Sequence, residues 1–188
     1  MNYVIPAWEL PSLPVVPPAV GRMRYPLATA NLHHEIELVV AIGARAVDLT
    51  PERALEIVWG YAVGLDMTRR DLQNEMREKK RPWDIGKSFA QAAPIAPIHR
   101  AAQTGHLSRG AIRLDVNGAP RQRGDLADMI WDVPHMIAFL STYYELLPGD
   151  LIFSGTPSGV GAVVPGDRLD ARIDGLTPLS IVIAPPRA

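Results

Sequence analysis

The chain has 188 residues, 47% of them hydrophobic and 21% charged, enough for one globular domain with a real core; long disorder and collagen-like repetition are excluded. Lysine plus arginine total 19 against 20 aspartate plus glutamate, a formal net charge of -1, so no nucleic acid and no anionic membrane is expected as partner; a small, locally bound ligand is. With no cysteine, disulfides, thiolate chemistry and cysteine-ligated metals are impossible, and any metal must sit on oxygen or imidazole.

Six of the 18 prolines fall in the first 26 residues. Each removes a backbone donor and restricts the residue before it, so residues 1–30 are expected as an extended surface arm and residues 31–188 as the folded domain. MNYVIPAWEL lacks the charged-then-apolar order of a signal peptide, and no apolar run approaches the ~20 residues of a membrane span, so a cytoplasmic protein is expected. LHHEIELVVAIG (32–43) reads as a buried strand. TPERALEIVWGYAVG predicts a short amphipathic helix, capped by Thr50 with Pro51 at its first position, placing Ala54, Ile57, Val58 and Tyr61 on one face. YAVGLDMT (61–68) reads as a second buried strand carrying Asp66, and the polar TRRDLQNEMREKKRPWD (68–84) as an exposed helical turn plus loop. AIRLDVNGAPRQ (111–122) predicts a hairpin about Asn117-Gly118, since both residues tolerate positive φ. DLADMIWDVPHMIAFLSTYYEL (125–146) predicts one helix kinked at Pro134 or two short ones. From Gly149 onward the chain reads as strand, glycine-rich loop, strand, turn and strand. No repeat or linker divides it, and the frequent turn signals favour a single α+β domain, mainly β.

Three acids interrupt apolar stretches. Glu35 and Glu37 share one face of the predicted strand, where like charges repel; exposed, water offsets the repulsion, and buried, a cation or a shared proton must. Two same-face carboxylates suit Mg²⁺, Mn²⁺ or Ca²⁺. Asp66 either caps backbone amides or completes a three-carboxylate metal site. His33 has the parity of the two glutamates and is either a further ligand or a packed histidine. Lys87 either reaches an anionic substrate or is a solvated surface charge. Arg70 and Gln73 lie on one helical face and either hold a substrate carboxylate or solvate an exposed helix. The GTPSGVG loop offers Thr156 and glycine amides as an oxyanion nest, or is a tight turn; it lacks the spacing of a P-loop.

Together, HHEIELVVAIG (33–43), GYAVGLDMTRRDLQ (60–73), WDIGKSF (83–89), VNGAPRQ (116–122) and LLPGDLIFSGTPSGVGAVVPGD (146–167) resemble the fumarylacetoacetate hydrolase family, in family order over about residues 31–183. Within it the combination is most similar to the fumarylpyruvate and acylpyruvate hydrolases. The resemblance implies a mixed β-sandwich or β-roll and a homodimer. It also implies a divalent cation, Mg²⁺ foremost with Mn²⁺ or Ca²⁺ as alternatives, on Glu35, Glu37 and Asp66. Arg70, Gln73, Lys87 and Thr156 fall where the family binds or polarises substrate, with Lys87 and Thr156 taking part in the chemistry. The implied reaction is cleavage of a carbon–carbon bond in a 2,4-dioxo acid, giving pyruvate and a carboxylic acid, in the degradation of aromatic compounds. Members of this type carry a histidine and a glutamate that activate water after an asparagine-tyrosine motif. Here Asn2-Tyr3 is followed by no such histidine, and none precedes Glu9. Ala90 also stands where relatives commonly have aspartate. A decarboxylase or enol–keto isomerase acting on a 2-oxo acid is therefore the alternative enzyme, and an inactive family member with a structural role the third reading.

Overall fold

The structure is a computed structural model that describes residues 3–5 and 21–187; most of the expected proline-rich arm, residues 6–20, lies outside the described residues. Among the described residues the fold is made of two five-stranded sheets and one three-stranded sheet. The first sheet runs β1 (Tyr3–Ile5), β10 (Leu151–Phe153), β4 (Ile36–Ile42), β5 (Val58–Leu65) and β7 (His99–Arg100), all antiparallel. The second runs β2 (Gly21–Arg24), β13 (Leu179–Ala184), β12 (Arg168–Ile173), β8 (Ala111–Val116) and β9 (Ala119–Asp125), with β2 parallel to β13 at its edge. The third joins β11 (Gly161–Val163), β3 (Leu32–His34) and β6 (Thr68–Arg69). The α+β, mainly β class and the mixed sheets are thus both present.

The two large sheets face each other across one core. Ile36, Leu38, Val40 and Ile42 of β4 point into it and meet Leu114, Leu169, Ala171 and Ile181 of the second sheet. The alternate residues Val39 and Ala41 point the other way, into a smaller cluster with Ala62, Leu151 and Phe153 that is covered by Ala93, Ile95 and Ile98. A strand covered on both faces reads as continuously apolar, which is why β4 carries no solvent-facing alternation. Glu37 has the parity of Val39 and Ala41, so the one acid in this strand is buried beneath the smaller cluster's cover.

Several elements differ from the sequence-based expectation. The strand expected over 32–43 breaks at Glu35 into β3 and β4, which belong to different sheets. The helix expected through Tyr61 stops early. Helix α1 (Pro51–Ala54) and a 3-10 turn (Leu55–Ile57) end at Val58, where the chain enters β5 and pairs residue by residue with β4. Valine, tryptophan and tyrosine favour the strand once such a partner exists. Asp66 lies just beyond β5 rather than within it. Pro134 sits in the first turn of a continuous helix, α5 (Val133–Tyr143), where no N–H is needed; Asp132 caps it by accepting from the His135 N–H at 3.0 Å. The last expected strand is the hairpin β12–β13. The hairpin at Asn117-Gly118 forms as expected, with φ of 53° and 77°.

Candidate metal-and-lysine site at a double strand break

The site lies where two neighbouring strands leave the first sheet together. The chain breaks at Glu35 between β3 and β4, and again after Leu65 between β5 and β6; the Asp66 N–H donates to the Glu35 carbonyl oxygen at 2.8 Å and ties the breaks side by side. This bond brings the two acids face to face. Glu35 and Glu37 are buried and Asp66 is half-buried, and one ligand oxygen from each lies within 4.8 Å of the others. Glu35, Glu37 and Asp66, the predicted ligands, therefore form one oxygen donor set of the size and hardness that Mg²⁺, Mn²⁺ or Ca²⁺ accepts.

Lys87 is the counter-charge. It belongs to a one-turn helix, α3 (Asp84–Lys87). Its Nζ donates to Glu35 Oε2 at 2.9 Å, Asp66 Oδ2 at 2.6 Å and Thr68 Oγ1 at 2.8 Å, so all three ammonium protons are engaged. Helix α2 (Arg70–Glu78) supplies Arg70, which donates to the other Glu35 oxygen and, at 2.5 Å, to Gln73 Oε1. Arg70 and Gln73 thus share a face as their spacing predicted, but that face is turned inward and Gln73 is buried.

The electrostatics follow from burial. Removal from water pushes the Glu37 carboxyl well above the usual carboxylate range, and the neighbouring charge of Asp66 pushes it further. Burial likewise raises Asp66, against the opposing pull of Lys87. For Lys87, burial favours the neutral amine, but the charges of Asp66 and Glu35 outweigh it and hold the ammonium above its ordinary value.

The loop between β10 and β11 closes one wall. The Gly155 N–H donates to Glu37 Oε2 at 2.7 Å, so one amide of the expected oxyanion nest is already committed. Thr156 Oγ1 donates to the Ile36 carbonyl at 2.7 Å and accepts from Gln122 Nε2 at 2.7 Å. Gln122, on β9, has no role predicted from sequence. It is fully buried, donates its second proton to the Pro157 carbonyl at 2.8 Å and accepts at Oε1 from the Ile36 N–H at 3.1 Å. The same oxygen lies 2.9 Å from His34 Nδ1, which fixes the proton on that nitrogen. One side chain thereby clamps the start of β4 to the Thr156 loop. Its signal was a polar residue facing the core. A bulge between Leu114 and Asp115 hides that signal, because it pairs Gln122 with the buried Leu114.

Glu35, Glu37, Asp66, Gln73, Lys87 and Thr156 line one cavity of about 660 Å³, whose remaining wall is Arg81, Pro82, Trp83, Asp84 and Gly155. Arg70 touches it through Glu35. His33 is not among the lining residues; its Nε2 lies 3.0 Å from Asn31 Oδ1, and it joins no ligand set.

The fold and the site together define the class. The chain belongs to the fumarylacetoacetate hydrolase family, since the description of that family's C-terminal domain matches residues 11–184. It is 47% identical over 164 residues to a fumarylpyruvate hydrolase of Ralstonia sp, covering 86% of this chain and 83% of the relative. It is 39% identical over 162 residues to an oxaloacetate tautomerase of Escherichia coli (strain K12), covering 84% of this chain and 74% of the other. The crystal structure of fumarylpyruvate hydrolase from Pseudomonas aeruginosa in complex with Mn²⁺ and pyruvate superposes with a TM-score of 0.87 at 53% identity, over 88% of this chain and 71% of that one.

Two outcomes are expected. The raised carboxyls of Glu37 and Asp66 mean that, above the ordinary carboxylate range, the metal-free fold binds more protons than the unfolded chain. Its stability falls as pH rises through the folded-state values, while a cation that displaces those protons binds more tightly. Differential scanning fluorimetry should therefore show one fixed Mn²⁺ concentration raising the melting temperature more at pH 8 than at pH 6, with about 3 kcal/mol of stabilisation where that concentration is a hundred times Kd, and Asp66→Asn should remove the effect. Gln122→Leu leaves several buried groups without partners and should cost roughly 2–4 kcal/mol in urea unfolding. A loss under about 0.5 kcal/mol, typical of a surface position, would show that Gln122 clamps nothing.

Proposed function

We propose that the protein hydrolyses a 2,4-dioxo acid of the fumarylpyruvate type, releasing pyruvate and a carboxylic acid, with a divalent cation on Glu35, Glu37 and Asp66. The observation that carries the reading is Lys87, a half-buried ammonium bonded to two of the three carboxylates in a cavity of a size for a small acid. The 47% identity to a fumarylpyruvate hydrolase supports the substrate class. When bound, the cation, Mg²⁺ or Mn²⁺ in this reading, supplies Lewis-acid polarisation of the 2-oxo acid end of the substrate.

The chain's own residues do the rest. Water adds to the 4-oxo carbon, the C3–C4 bond breaks, and the electron pair passes into the pyruvate fragment, which takes a proton at C3. Lys87 presents positive charge where that pair arrives, and the charges of Asp66 and Glu35 hold its ammonium above its ordinary value. Arg70, itself held by Gln73, donates to the outer oxygen of Glu35 so that its other oxygen stays on the Lys87 side. Thr156 gives its proton to the Ile36 carbonyl, so its oxygen meets the ligand as a hydrogen-bond acceptor suited to a water or an enol hydroxyl.

A second reading has an observation of its own. Among the described residues lining the cavity there is no histidine, and the only bases there are carboxylates. Enol–keto tautomerisation or decarboxylation of a 2-oxo acid draws on the same electron sink without an activated nucleophilic water. Relatives named oxaloacetate tautomerase, at 39% identity, and oxaloacetate decarboxylase, at 38%, support that chemistry.

The deciding assay supplies purified protein with Mn²⁺ or Mg²⁺ and either fumarylpyruvate or oxaloacetate, beside a Glu35→Ala/Glu37→Ala control. Pyruvate release from fumarylpyruvate at a rate at least about a thousandfold above the control is expected for the hydrolase. Enol–keto exchange or carbon dioxide release from oxaloacetate, with fumarylpyruvate untouched, would favour the second reading. Rates equal to the control with both acids would contradict both.

A further inference from the structure

The charges around the cavity are unequally committed. Glu35, Glu37, Asp66 and Asp84 line it, so a ligand with a second carboxylate needs a cationic partner that these acids have not already taken. Lys87 spends its three protons on Glu35, Asp66 and Thr68, and Arg70 is held by Glu35 and Gln73. Arg81 is different: it lines the same cavity and, among the described residues, makes no ion pair.

Its position is built into the backbone. Helix α2 ends in a left-handed cap at Lys80, with φ of 53°; the Lys80 N–H donates to the Arg77 carbonyl at 3.1 Å and the Arg81 N–H to the Met76 carbonyl at 2.9 Å. These are the two bonds of a Schellman motif, formed here without glycine. Pro82 then fixes the next φ. Helix α3 lies so close to α2 that a Cβ on Gly86 would come within 2.9 Å of Gln73 Cβ. The guanidinium therefore hangs from a rigid junction between the helix that carries Arg70 and Gln73 and the helix that carries Lys87. Pro82 and Trp83 place apolar surface beside it.

We infer that Arg81 binds the second carboxylate of a dicarboxylic substrate, so that the cavity selects oxo acids carrying an acid group at the end remote from the pyruvate unit. This rests on the proposed hydrolysis of a 2,4-dioxo acid and names the substrate class within it. A planar guanidinium pairs with a carboxylate through two parallel hydrogen bonds, and one exposed on the cavity wall with no ion pair among the described residues provides the attraction that a second anionic end requires. Between the two charged ends, an unsaturated carbon chain would lie along Pro82 and Trp83. A mono-acid such as acetylpyruvate offers Arg81 nothing.

The test compares fumarylpyruvate with acetylpyruvate in the Mn²⁺-loaded protein. In Arg81→Gln the ratio of the two kcat/KM values, fumarylpyruvate over acetylpyruvate, should fall by about tenfold to a hundredfold, mainly through KM, and Arg81→Lys should recover part of it as a point charge. High salt should shrink the ratio in the unaltered protein and not in Arg81→Gln. A ratio unchanged by Arg81→Gln, whether or not both rates fall together, overturns the proposal. If the unaltered protein turns neither acid over, the hydrolase reading fails separately, and the ratio is read from calorimetric Kd values instead. A preference for fumarylpyruvate lost in Arg81→Gln then supports the carboxylate site, and one retained overturns it.

Discussion

The contact between the Lys87 ammonium and the carboxylates of Glu35 and Asp66 is the interaction on which the rest depends. Two unit charges of like sign 4 Å apart repel by roughly 4 kcal/mol at an effective dielectric constant of 20. Three carboxylates gathered away from water thus cannot persist without compensation. In the metal-free protein the compensation has two parts, a half-buried ammonium shared by two of the acids and a proton affinity of Glu37 and Asp66 raised above the ordinary carboxylate range by burial. Both are what a divalent ion displaces or supplements. The site is therefore poised between two ways of neutralising the same charge, and its affinity for a cation is tied to pH through that competition.

The backbone serves this contact at each level. The paired breaks after β3 and β5 turn Glu35 and Asp66 toward each other, and parity along β4 buries Glu37 beneath the same cover. The one-turn helix α3 delivers Lys87, and α2, packed closely on it, brings Arg70 to the outer oxygen of Glu35 with Gln73 holding the guanidinium. From the opposite side, Gln122 locks the Thr156 loop to Ile36, the residue between the two glutamates. The rigidity matters because a hard cation and a developing negative charge are both stabilised by donors that need no rearrangement.

What the sequence made legible was the chemistry more than the geometry. Glu35, Glu37 and Asp66 stood out because an acid in an apolar run needs a compensating partner, and Asn117-Gly118 stood out because few dipeptides tolerate two positive φ values. The break at Glu35 did not show, since a strand that changes sheets keeps its apolar pattern on both sides of the change. Val58 and Tyr61 fitted a helical stripe and a strand equally well, and pairing with β4 decided between them. Pro134 signalled an interruption, but whether proline ends or begins a helix depends on the capping residue before it, here Asp132. Gln122 and Arg81 were silent for a different reason. Their roles arise from a bulge that shifts one register and a left-handed cap without glycine, and neither leaves a compositional trace.

The central claim is that Glu35, Glu37 and Asp66 jointly hold one divalent cation beside Lys87. Crystals of the protein grown with Mn²⁺ and measured for anomalous scattering test it most directly. The account predicts a single peak enclosed by carboxylate oxygens of all three acids at roughly 2.0–2.3 Å, with Lys87 still bonded to Asp66 or Glu35. A peak elsewhere, or none at saturating Mn²⁺ with the three carboxylates still closed around Lys87, would contradict it.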